Sequence, residues 1–169
     1  MTQRWDSQIK EDHRTLENQL EVLQKSLEEI SKPEAKRRDL SCIVIRVLGP
    51  TLELHLRKEE EVLFPAPEKL LGSKRGGIEL LQEQHGDLRQ IIRELAQLVC
   101  QCGCEHHQKI NPKEAVALGE KFVRTLQEHE KKEDQLLTDV LEASLHPKEL
   151  MGLAEQFHKV VWRTFQEEL

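Results

Sequence analysis

Aromatic residues make up only 4% of this 169-residue sequence, and tyrosine is absent. With few β-branched residues in alternation, that poverty argues against a sheet protein and for an all-α one. No apolar run approaches the roughly 18 to 20 residues of a membrane span, and the opening Met1-Thr-Gln-Arg-Trp-Asp-Ser-Gln-Ile-Lys is too polar for a secretory signal. These absences predict a cytoplasmic protein without membrane association. Four cysteines, three of them crowded into Cys100, Cys102 and Cys104, do not form a disulfide framework. Basic clusters are also scarce. The formal net charge is −6, and short groups such as Lys36-Arg37-Arg38 and Lys74-Arg75 read as solvated helix ends or loops, which argues against a nucleic-acid partner.

Helical periodicity dominates what is present. Ile9, Leu16, Leu20, Leu23, Leu27 and Ile30 follow Trp5 at steps of three, four or seven, and His13 fills the gap in that stripe. Ser31-Lys-Pro33-Glu34 marks a capped start for a second helix running to about Leu63, ended by Pro65 and Pro67. Gly49-Pro50 interrupts it and predicts a kink about one turn before His55. A third helix follows the Gly72–Gly77 loop and carries Leu81, His85, Leu88, Ile92, Leu95 and Val99. Asn111-Pro112 caps a fourth, with Leu118, Phe122, Leu126, Leu137 and Val140 around His129 and Glu133. His146-Pro147 opens a shorter fifth helix to about residue 168, with the stripe Leu150, Leu153, Phe157, Val161 and Phe165. The expectation is a single domain over 1–169: an up-down-up-down four-helix bundle over about 5–142, covered by the C-terminal helix.

The second helix contains Thr51-Leu-Glu-Leu-His55-Leu-Arg-Lys-Glu59-Glu60-Glu61-Val-Leu-Phe-Pro65. At i and i+4, His55 and Glu59 project toward a common point, from which Glu60 and Glu61 are rotated away. Thr125-Leu-Gln-Glu-His129-Glu-Lys-Lys-Glu133 repeats the pattern at an offset of 129−55 = 74. Lys10-Glu-Asp-His13 and Gln82-Glu-Gln-His85 match at 85−13 = 72, so a two-helix unit is repeated. Four imidazoles and two carboxylates would converge in one core. Two buried glutamates need protonation, pairing or a cation, and two divalent ions fit this ligand count better than one, with iron, zinc and manganese all suited. The blander alternative is an ordinary surface His/Glu pair on each helix. Thr51 and Thr125, one turn before His55 and His129, either line the pocket or bond back to their own i−4 carbonyls. Cys100, Cys102, Cys104, His106 and His107 are a soft-metal or redox cluster or a reduced loop, in a spacing that matches no zinc pattern; Cys42, His146 and His158 read as packing or capping residues.

Together, His55-Leu-Arg-Lys-Glu59-Glu60-Glu61-Val-Leu-Phe-Pro65, His13, His85 and the His129 to Glu133 segment resemble the hemerythrin-like (HHE cation-binding) family over about residues 5–142. The resemblance implies an oxo- or hydroxo-bridged non-haem centre of two iron ions. Its ligands would be His13, His55, Glu59, His85, His129 and Glu133, with both glutamates bridging and two histidines on each iron. Oxygen-carrying hemerythrins have a further histidine one turn after the third-helix one, where this sequence has Arg89, which cannot ligate at neutral pH. The set therefore more closely resembles the iron–sulfur cluster repair di-iron proteins, without their N-terminal cysteine-bearing domain. The second motif reads Gln135-Leu-Leu-Thr-Asp139 where the first ends Leu-Phe-Pro. The implied partner is oxygen, nitric oxide or peroxide, in stress response or iron handling. The other readings are a carrier or sensor without turnover and a metal-free interaction bundle.

Overall fold

A computed structural model of the chain describes residues 5–30, 43–65, 75–100, 111–144 and 146–167. Those residues are helical apart from short turns, and no strand occurs among them. Helix α1 spans Trp5–Glu29; α2 spans Gly49–Lys58 and is flanked by π-helical turns at Ile43–Leu48 and Glu59–Leu63. Then come α3 (Arg75–Cys100), α4 (Pro112–Ser144) and α5 (Pro147–Glu167). The expected start at Ser31–Glu34, together with Cys42, Pro67, Cys102, Cys104, His106 and His107, lies outside the described residues.

At the interruption expected at Gly49-Pro50, a π-helical segment, Ile43–Leu48, runs directly into the glycine and proline. Proline lacks an N–H, and its ring collides with the carbonyl four residues back; a wider turn ahead of it relieves that collision. A Cβ on Gly49 would come within 3.1 Å of the Val44 carbonyl oxygen, so the close turn favours glycine there. The glycine loop is also shorter than expected, because α3 already begins at Arg75. First-turn amides have no intrahelical acceptor, and glycine forfeits little there. Asn111 caps α4 by accepting the Lys113 amide at 3.2 Å, and Glu149 accepts the His146 amide at 2.8 Å at the start of α5.

The apolar stripes close into two clusters. Leu16, Leu20, Leu23, Leu27, Leu52, Leu56, Leu88, Leu95, Phe122 and Leu126 belong to the first; Ile9, Val62, Leu63, Phe64, Ile78, Leu81, Leu153, Phe157 and Val160 belong to the second. Helix α5 thus covers one end of the molecule. It does so with Val160 rather than Val161, which is only partly buried, and with Ala154 in the stripe. Arg57 donates to Thr164 at 3.1 Å and Arg163 to Glu61, fastening α5 to the second helix.

Two glycines make the packing testable. A Cβ on Gly119 would fall 2.2 Å from Leu27 Cδ1, so α4 approaches α1 closely at this point, whereas a Cβ on Gly86 meets nothing within 4 Å. We expect Gly86→Ala to raise unfolding stability by about 1 kcal/mol through helix propensity. Gly119→Val should lower it by about 2 to 3 kcal/mol through overpacking, both read by chemical denaturation.

Candidate metal centre

Helix α1, the second helix and α3 each pass from one apolar cluster to the other through a polar position, and α4 leaves the first cluster through one. In α1 this is His13, between Ile9 and Leu16; in the second helix it is His55 and Glu59, between Leu52 and Val62. His85 lies between Leu81 and Leu88, and His129 and Glu133 follow Leu126. All six are buried, His13 being 7% exposed and the other five at most 1%. The helix phase that selected them in the sequence therefore delivers them to one internal layer.

Within that layer the donors form two groups. His13, His55, Glu59 and Glu133 offer ligand atoms within 4.8 Å of one another, and so do Glu59, His85 and His129. Glu59 belongs to both. Its Oε1 lies 2.7 Å from His55 Nε2, while its Oε2 lies 3.0 Å from His85 Nε2 and 3.3 Å from His129 Nε2. Glu133 joins the first group alone, 2.9 Å from His13 Nε2. The imidazoles pair accordingly, His13 with His55 at 5.0 Å between ring centroids and His85 with His129 at 4.8 Å.

A cation fits this donor set. Nε2 of His55 and of His129, and Oε1 of Glu59 and of Glu133, are buried without a hydrogen-bond partner. The 2.7 Å approach of His55 to Glu59 is short but misaligned for hydrogen bonding. Adjacent ligands on one cation, each at about 2.0 to 2.2 Å, stand roughly 3 Å apart without any hydrogen between them.

The electrostatics lead to the same conclusion. Burial opposes ionisation of Glu59, but the charge on His55 and the hydrogen bond from His85 hold it well below the usual carboxylate range. Burial and the neighbouring Glu59 charge push Glu133 up. Burial would lower His55, His13 and His85; carboxylates beside them outweigh it and raise all three. Without a metal, the layer compensates its carboxylates with protons on the imidazoles. A divalent cation would displace those protons, as metal ligation requires.

Around the layer stand residues that helix phase alone did not single out. Glu60 accepts a 2.7 Å hydrogen bond from His85 Nδ1–H, and Phe64 stacks on the same ring with centroids 5.2 Å apart. Arg89 donates to Glu60 at 2.6 and 3.1 Å and to Glu53 at 2.8 and 3.0 Å. Burial disfavours the Glu60 anion, but the His85 and Arg89 hydrogen bonds prevail and hold its pKa at about 2. Lys58 clasps Asp12 at 2.7 and 2.9 Å, and Asp12 in turn lies 3.9 Å from His55 Nδ1. The available signal was the seven-residue spacing of Glu53 and Glu60, which puts both on the helix face turned toward Arg89. Thr51 is not a pocket group: it donates to the Val47 carbonyl at 2.8 Å and accepts from Gln19 at 3.0 Å.

The hemerythrin HHE cation binding domain family matches residues 6–100 and again residues 76–167. The chain belongs to that family. The two matched segments start 76−6 = 70 residues apart, close to the 72- and 74-residue offsets of the internal repeat. Comparisons with curated proteins and with solved structures give no match.

His13 borders an open groove between α1 and α4, lined also by Glu17, Glu130 and Asp134. Burial raises Glu130 to about 7; the charges of His13 and His55 oppose this shift, and Glu17 and Glu133 reinforce it. The folded chain therefore keeps a proton on Glu130 that the unfolded chain releases between about pH 4.5 and 7, and stability falls as pH rises through that window. In metal-free protein, Glu130→Gln should match the parent near pH 4.5 and exceed it by about 2 to 3 kcal/mol above pH 7, because each tenfold difference in proton affinity between the folded and unfolded chain is worth about 1.4 kcal/mol. Denaturation curves across that range check the sign and the window.

Proposed function

We propose that this chain is a single-domain, cytoplasmic, non-haem di-iron protein that binds or reacts with oxygen, nitric oxide or peroxide. The observation that carries the reading is Glu59, whose two oxygens face two separate donor groups, one holding His13, His55 and Glu133 and the other His85 and His129. In this reading the six residues would hold two irons; Glu59 is common to both donor groups, whereas Glu133, expected as a second bridge, stands with the His13 and His55 group alone. The alternating passage of α1, the second helix and α3 between the two apolar clusters supports an up-down-up-down bundle around that centre. When bound, such a metal pair supplies redox change and Lewis acidity to a small ligand.

The protein's own residues set the conditions for that chemistry. Leu52, Leu56 and Leu88 on one side, and Leu63, Phe64 and Leu81 on the other, keep water from the layer and strengthen charge interactions within it. His13, as the most exposed of the six, faces the groove, which is the natural approach for a small ligand. Arg89 occupies the position of the extra histidine of oxygen carriers and is engaged with Glu53 and Glu60, which favours reactivity or iron handling over reversible oxygen carriage.

Anaerobic reconstitution should load about two irons per chain, the number that six such ligands serve in carboxylate-bridged bundles. Glu59→Ala, which removes the donor common to both groups, should abolish the pair, and the loaded parent should change its absorption spectrum with oxygen, nitric oxide or peroxide. Fewer than about one iron per chain in the parent would overturn the di-iron reading.

A further inference from the structure

The internal repeat preserves the six donors but not what stands behind them. Shifted by 74, Glu60 corresponds to Asp134; shifted by 72, Arg89 corresponds to Glu17. Both members of the first pair lie behind equivalent histidines. Glu60 Oε1 is 2.7 Å from His85 Nδ1, and Asp134 Oδ1 is 3.8 Å from His13 Nδ1. The difference in contact follows from chemistry. Glutamate is one methylene longer than aspartate, and Arg89 grips Glu60 through both carboxylate oxygens, whereas Glu17 carries a charge that can only repel Asp134. The side chain of Asp134 is 58% exposed, against 31% for Glu60. Elsewhere in the layer, Asp12 stands 3.9 Å from His55 Nδ1, and His129 Nδ1 has no hydrogen-bond partner. His85 is the one donor imidazole among the described residues with a close carboxylate on its far nitrogen.

We propose that Glu60 and Arg89 are positioning residues that make the two metal positions inequivalent. Glu60 fixes His85 with Nδ1–H toward itself and Nε2 toward Glu59, and Arg89 fixes Glu60 while offsetting its charge. A carboxylate on the far nitrogen makes an imidazole a stronger donor and favours the more oxidised ion beyond it; a guanidinium on that carboxylate moderates the effect. The inference rests on the di-iron reading and adds that the reduction potential at the His85 position is set by residues that never touch the metal.

The test is a mediated potentiometric titration of the iron-loaded full chain, followed by absorption, with iron content measured for each variant. Glu60→Gln should raise the potential of one of the two one-electron steps and weaken iron binding by about 10- to 100-fold. Arg89→Gln should lower the potential of that same step, because it leaves the Glu60 charge without its counterion, and Arg89→Lys should restore most of the shift. Building the clamp in the other half with Glu17→Arg and Asp134→Glu together should draw the two potentials closer. A merely structural role would move Glu60→Gln and Arg89→Gln in the same direction, or move neither. Either result in chains retaining about two irons overturns this inference alone, whereas a parent chain that takes up no iron overturns it together with the di-iron reading.

Discussion

Two carboxylates sealed between apolar clusters are the constraint on which the rest of the structure depends. Moving an ionised carboxylate out of water costs several kcal/mol even after relaxation, while a buried leucine contributes roughly 2 to 3 kcal/mol. Glu59 and Glu133, both at most 1% exposed, would therefore cancel the burial of several core residues unless something local answers their charge. The imidazoles of His13, His55 and His85 do so with their protons, and the result is uneven: Glu59 is held ionised while Glu133 is pushed toward its neutral form. A core that pushes one of two such carboxylates toward its neutral form is short of positive charge. A divalent cation supplies it, and the same low-dielectric surroundings that make the bare site unfavourable strengthen the attraction to the cation.

That demand also fixes where the helices are polar. Each must interrupt its stripe at one level and at no other, because a polar residue one turn away would enter an apolar cluster. His13 interrupts between Ile9 and Leu16, and His85 between Leu81 and Leu88. In the second helix the interruption coincides with a change of backbone. Glu59 begins a π-helical turn closed by the Phe64 amide on the Glu59 carbonyl at 2.8 Å, five residues back. The wider turn carries Val62, Leu63 and Phe64 into the cluster beneath α5, with Phe64 against the His85 ring. Single-turn π segments are frequent at functional sites because they re-aim side chains without ending the helix.

Much of this was legible from periodicity. The gap at His13, the four-residue step from His55 to Glu59 and the repeat at His129 and Glu133 depend only on helix phase, and phase is local to one segment. What stayed hidden depends on how two segments meet. Glu60 lies about 100° round its helix from Glu59, correctly turned away from the common point, yet that rotation brings it to the rear nitrogen of His85 on another helix. The role of Arg89 required knowing that α3 runs beside both Glu53 and Glu60. Val160 in place of Val161 is a one-residue error of phase in α5, where either assignment continues a plausible stripe. The π-helical form of the Gly49-Pro50 interruption was equally out of reach, since proline announces a broken ladder without saying how it is repaired.

The distinction between donor and backing residues follows from burial. At a position with 0 or 1% exposure between two apolar clusters, any polar residue but the matching donor leaves a charge or hydrogen-bonding atom unanswered, so a repeated unit must carry the same residue in both halves. Glu60 and Asp134 are partly or largely exposed, and water can satisfy whatever stands there. Differences between the halves therefore collect one layer behind the donors, at small cost to the fold. Charges at that distance still act on the layer, because they reach it through a hydrogen bond and an imidazole ring rather than through solvent. A two-fold arrangement of donors can thus have two chemically different halves, with the difference residing in side chains that the donor geometry leaves free to vary.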